Sequence, residues 1–222
     1  RNKIKESKYY ISQSNERSLK DLNNIKAKIN GYTKPNEYLE KFRNDKTIPG
    51  KIAKATSLHK LGKNRESIKI FQTLINDNPK NPYFYESLGK AFLSDRKIKK
   101  SINAYKKAIV ISDNNPLILL GYSQALISAN NKESDYEAIK VLEIVTKKIE
   151  KNFSAWRLLE IAYGRSGKFG KSFLAGAEKS LISGKKNNAN KKANEALKLL
   201  KVNSPDFFRA KDIILITKKN LK

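Results

Sequence analysis

Histidine occurs once, at position 59, and cysteine not at all. A zinc site takes several His, Cys or acidic ligands, and a nucleophilic triad needs a base beside its hydroxyl, so any such scheme here would run through one imidazole. There is no HExxH pair and no Gly-rich phosphate loop. His59 therefore reads as a packing or groove residue, and this chain by itself does not read as an enzyme. The chemistry left is recognition. Arg157 and Arg165 stand close to the one tryptophan, Trp156, and a guanidinium fork can hold a carboxylate bidentately. Lys60, Tyr83, Glu86, Lys90 and Gln124 are further candidates for a partner-binding groove. The competing reading is that both arginines pair with nearby acids such as Glu160 and serve only the surface.

These residues need elements to align them, and residues 81–115 show which. Counting from Pro82, large residues stand at positions 4, 7, 11 and 24 (Tyr85, Leu88, Phe92, Tyr105) and small ones at 8, 20 and 27 (Gly89, Ser101, Ala108). Small residues let two antiparallel helices approach, and bulky ones fill the wedge against the next pair. The pattern resembles the 34-residue tetratricopeptide repeat (TPR). Similar units cover 48–81, 116–152 and 153–186; the last carries Trp156 and Tyr163 at 4 and 11. The third has three extra residues at Lys132 to Asp135, expected in its inter-helix turn. The fourth departs from the pattern, with Glu160, Gly176 and Lys179 at 8, 24 and 27. The expected fold class is all-α, a TPR-type α-solenoid in which hairpins stack as a right-handed superhelix. First helices then line one wall, at about positions 2, 5, 9, 12 and 13, and carry the groove candidates with apolar Leu93, Leu120, Ile127 and Ile161 between them.

Flanking segments complete the plan. Residues 1–47 read as N-terminal linker helices joining an upstream domain absent from this chain. One helix is expected from Asn15 to Asn30, striped by Leu19, Leu22, Ile25 and Ile29 and ended by Gly31. A short one is expected from Pro35 to about Arg43. Residues 187–222 read as a capping helix pair beyond a break at Gly184 to Asn190, with Ala193, Ala196, Leu197 and Leu200 on one helix and Phe207 to Leu215 on the other.

The formal net charge is +26, which raises the question of nucleic acid. Lysine outnumbers arginine 39 to 8, however, and phosphate and base recognition favours the arginine fork. Lys97, Lys99, Lys100, Lys106 and Lys107 belong to one second helix, mostly to its outer surface. A solvated face is the favoured reading, with an anionic surface as the alternative. No apolar run approaches the roughly 20 residues that span a bilayer.

Beyond the repeats, the chain resembles the C-terminal half of the BepA-like periplasmic zinc metallopeptidases, which join an HExxH peptidase domain to a TPR array. The matching pieces are ESKYY (6–10), IKAKINGY (25–32), ATSLHKLGKNRESIKIF (55–71), NPYFYESLGKAF (81–92), SAWRLLEIAYGRSGK (154–168) and ANEALKLLKVNSPDFFRAKDI (193–213). The resemblance implies an interaction and substrate-positioning domain of a bacterial envelope metallopeptidase that acts in outer-membrane protein quality control. It implies no cofactor in this chain, zinc in an absent catalytic domain, and membrane association through that domain only. The implied partners are envelope proteins, outer-membrane assembly components or the parent's own peptidase domain. A free-standing TPR adaptor is the alternative. A clamp for chaperone C-termini is disfavoured, because such TPR domains carry Lys and Asn where this chain has Ile52 and Thr56.

Overall fold

The computed structural model describes residues 14–218, with side chains from residue 19 onward; the ESKYY stretch lies outside them. Among the described residues there are twelve helices and no strand. The chain divides between Asp95 and Arg96 into two compact units. That boundary falls inside the expected hairpin 82–115, so each of its helices belongs to a different unit.

The first unit holds α1 (Ser14–Thr33), α2 (Pro35–Lys41), α3 (Ile48–Lys60), α4 (Asn64–Asp77) and α5 (Pro82–Ser94). Starts are fixed by side-chain caps. Thr47 accepts from the Gly50 amide at 3.2 Å and Asn81 from the Tyr83 amide at 3.0 Å, each just ahead of a proline that has no amide to satisfy. Between α3 and α4, Gly62 takes φ +77°, and the Lys63 amide reaches back to the Leu58 carbonyl at 2.8 Å. The hairpin is then pinned by the Ser67 hydroxyl, which donates to the Ala55 carbonyl at 2.8 Å, joining repeat positions 20 and 8. Leu58, Phe71 and Leu74 form the apolar filling.

Two expectations change in this unit. Gly31 does not end α1, which continues to Thr33. Gly31 is buried against α3, where a β-carbon would lie 2.6 Å from the Ala53 carbonyl oxygen. The glycine is there for close approach, and the Ser57 hydroxyl donates to its carbonyl at 3.2 Å. The face of α1 that meets α3 is therefore the small one, Ala27 and Gly31, while the stripe Leu19, Leu22, Ile25 and Ile29 stays exposed. The short α2 stops at Lys41, with Tyr38, Leu39 and Phe42 only half-buried.

The second unit holds α6 (Ile98–Ile111), α7 (Pro116–Ala129), α8 (Lys132–Lys148), α9 (Phe153–Arg165), α10 (Phe169–Ile182), α11 (Lys186–Leu199) and α12 (Pro205–Lys218). The three extra residues do not make a loop. Only Asn130 and Asn131 separate α7 from α8, and α8 runs to 17 residues because Asn131 caps it through the Ser134 amide at 2.9 Å. Nor does Gly184 to Asn190 break the chain: Gly184 repeats the left-handed turn of Gly62 and Gly167, and α11 starts at Lys186. Ala189, Ala193 and Ala196 then pack into one cluster with Leu174, Ala177, Ala210 and Ile213.

The irregular fourth hairpin has a local explanation. Ser172 donates to the Glu160 carbonyl at 2.8 Å, as Ser67 does to Ala55. The large side chain now comes from position 8 and the vacancy from position 24. A β-carbon on Gly176 would lie 2.5 Å from the Glu160 carboxylate. That carboxylate is held between the ammonium groups of Lys179 and Lys192. Burial raises the Glu160 pKa, but bonds to the two lysines outweigh it and leave it below the ordinary value.

Candidate functional site

The groove candidates separate between the units, four in one and three in the other. In the first unit, α1 reaches all of the charged ones, directly or through a shared partner. Lys28 of α1 meets Glu86 of α5 at 2.6 Å, and Lys90 stands 3.7 Å from the same carboxylate. Burial pushes the Glu86 pKa up, yet the two lysines win and hold it below the usual value. Lys60 of α3 places its ammonium 4.2 Å from the Tyr32 ring centroid, a cation–π contact. Ile52 and Thr56 of α3 are buried. The helix thus lies along α3 and bridges to α5.

Beside α1 a pocket of about 860 Å³ opens. Ile25 and Ile29 form one side and Ile52, Phe71, Pro79, Pro82, Tyr83 and Phe84 the rest of its apolar lining, with Asp21, Lys28 and Lys80 as the charged members. Tyr83 is 55% exposed, a ring offered to this space rather than packed away.

In the second unit the first helices α7 and α9 are bridged twice. Arg157 donates to the Gln124 side chain at 3.1 Å, and Arg165 donates to the Ile127 carbonyl at 2.9 Å while standing 3.5 Å from the buried Asp135 carboxylate. Asp135 is in the added first turn of α8, so the insertion supplies a partner for Arg165. Glu160, the acid expected to compete for the arginines, is taken by lysines instead. Ile127 is itself buried and offers no surface, whereas Leu120 and Ile161 are half-exposed. Arg165 is committed within the chain. Arg157 and Gln124 remain as the polar pair on that wall.

The repeat-packing candidates are buried at Leu88, Gly89, Phe92, Tyr105, Ala108 and Tyr163, and half-buried at Tyr85 and Trp156. The Trp156 indole donates to the Glu150 carbonyl at 2.7 Å, and the Tyr163 hydroxyl to Glu143 at 2.6 Å. A further packing glycine stands outside the repeat pattern: a β-carbon at Gly121 would lie 2.6 Å from the Tyr105 ring. Its position within a first helix is the one sign of it in the sequence.

His59 is half-buried and bonded through Nδ1 to the Asn64 side chain at 3.0 Å. Burial lowers its pKa, the nearby charges of Lys90 and Lys60 lower it further, and the Asn64 bond partly offsets them, leaving it neutral at pH 7. Among the described residues no three His, Cys, Asp or Glu side chains converge as a metal would require. Also among the described residues, no helix is long and apolar enough to cross a membrane.

Residues 67–175 match the family model for the cytochrome c-type biogenesis protein H TPR domain. The chain carries a TPR region. Solved TPR-type structures share the fold. MamA from Desulfovibrio magneticus RS-1, from residue 41 to its end, aligns over 82% of this chain and 94% of its own with 15% identity and a TM-score of 0.56. YrrB, described as a TPR protein with an unusual peptide-binding site, aligns over 82% and 93% with 13% identity and a TM-score of 0.55. A TPR protein from Parabacteroides merdae aligns over 89% and 84% with 13% identity and a TM-score of 0.53. No curated protein matches the sequence. At these identities the likenesses show the fold alone, all-α and TPR-type.

Proposed function

We propose that this chain is a TPR interaction module that holds a segment of another polypeptide against the first helices of its hairpins. The carrying observation is α1: the wall of α3 and α5 already holds a helix, gripped by Glu86 through Lys28 and seated by Gly31 on the Ala53 carbonyl. In the second unit the same kind of wall presents Gln124 and Arg157 with half-exposed Leu120 and Ile161. A peptide carboxylate or backbone carbonyl would take the place of Gln124 on the arginine.

The segment order of the BepA-like metallopeptidases supports a finer reading. In it the module positions clients for an envelope zinc metallopeptidase active in outer-membrane protein quality control. The match to a cytochrome c-type biogenesis TPR domain supports a second reading, an adaptor with no peptidase attached. One experiment serves both. A photo-cross-linking residue replaces Gln124 in the natural polypeptide in its own cell, and the purified polypeptide is assayed for zinc and for cleavage of unfolded protein. Cross-linked partner polypeptides, lost on Arg157→Ala, are expected, and their absence overturns the module reading. Bound zinc with cleavage selects the peptidase parent, and neither selects the adaptor.

A further inference from the structure

On α1, Leu22, Ile25, Ile29 and Tyr32 follow one another at spacings of three, four and three, the seam of a helix prepared to meet another helix. All four are exposed, Ile25 and Ile29 at 55%, because α1 seats its small face on α3, from which the Lys60 ammonium reaches the Tyr32 ring. The two isoleucines are continuous with the apolar pocket that runs to Phe71, Tyr83 and Phe84. A lone exposed leucine needs no explanation, but a seam of four beside an apolar pocket does.

Charge selects the occupant. Lys28 is neutralised by Glu86. That leaves Lys26 on α1 and Lys80 at the pocket, neither ion-paired among the described residues, against Asp21, the one acid of α1 among the residues with described side chains. A second copy of a chain with net charge +26 would bring like charges together over this seam. We infer that the exposed seam of α1 and the adjoining pocket dock an amphipathic helix from another protein whose flanks are acidic. Its apolar side chains lie along the seam, one large residue enters the pocket beside Tyr83, and its carboxylates face Lys26 and Lys80. This deepens the interaction-module reading by naming a partner class, at a surface other than the wall carrying Arg157.

The test uses the intact chain and two labelled helical peptides sharing a leucine seam, one with Glu at the flanking positions and the other with Lys. The Glu peptide is expected to bind, more weakly as salt is raised, and the Lys peptide not to bind. Ile25→Asp with Ile29→Asp replaces exposed residues only, so the melting curve should hold while affinity falls by about 30-fold or more. Lys26→Glu with Lys80→Glu should shift preference toward the Lys peptide. The inference is overturned by equal binding of both peptides or by an unaffected Ile25/Ile29 double variant. It is equally overturned by a dimer in sedimentation that this variant dissolves, or by phosphatidylglycerol vesicles that capture wild type and not the variant. Cross-linking from Gln124 distinguishes the two readings: if it persists while the peptides fail, the module reading stands and only this docking surface falls.

Discussion

Glu86 is the point at which α1, through Lys28, is fastened to α5, and its chemistry makes the fastening sensitive to acid. Its folded pKa lies below the usual carboxylate value of 4.5, with burial opposing and Lys28 and Lys90 prevailing. Its contribution is therefore complete above 4.5 and lost as pH falls through the lower folded value. Glu86→Gln should melt earlier than wild type at pH 7, by an amount on the order of 1 kcal/mol for a partly exposed pair. The gap should close below pH 4.5, and melting curves at pH 7, 4 and 3 check it. A constant gap would show that the pair is not the cause. Gly31→Leu should cost about 1 to 3 kcal/mol by overpacking against the Ala53 carbonyl, read from the same melts. Neither role is legible in the sequence. A glycine near the end of an apolar stripe looks like a terminator, and Lys28 and Glu86 are 58 residues apart.

At the scale of elements, the hairpins are legible because small and large residues recur at fixed offsets, and the caps at Asn81, Asn115 and Asn152 mark their starts. What is not legible is how spare residues are absorbed. The insertion at Lys132 lengthens α8 rather than a loop, since Asn131 offers a cap and Glu133 and Asp135 suit the positive end of the helix dipole. Asn131→Ala should destabilise the second unit by about 1 kcal/mol. Hydrogen exchange should show the first turn of α8 opening earlier, and unchanged protection there would argue against the cap. The stripe on α1 is plain in the sequence, but its orientation is not. Hydrophobicity predicts a buried face, whereas the buried face here is set by residues small enough to touch a backbone. The early start of α11 is hidden for a similar reason, because GKKNNAN is polar and only Ala189 of it is buried.

Across the whole molecule, lysine without matching acid is the dominant electrostatic fact. Self-repulsion at +26 should make the melting temperature rise when sodium chloride is increased from low to physiological concentration, as screening sets in over roughly 8 to 10 Å. A melting temperature that falls steadily with salt would show that the ion pairs, not the excess charge, dominate. The exchange of volume between Glu160 and Gly176 reaches furthest beyond its own hairpin. A consensus residue at 176 alone collides with the carboxylate, while a small residue at 160 alone strands Lys179 and Lys192. The two positions are epistatic, with a third member supplied by α11. Consensus repair or repeat shuffling that moves one of them without the others will be penalised, so grafting or recombining this hairpin requires its neighbour α11 to travel with it as one block.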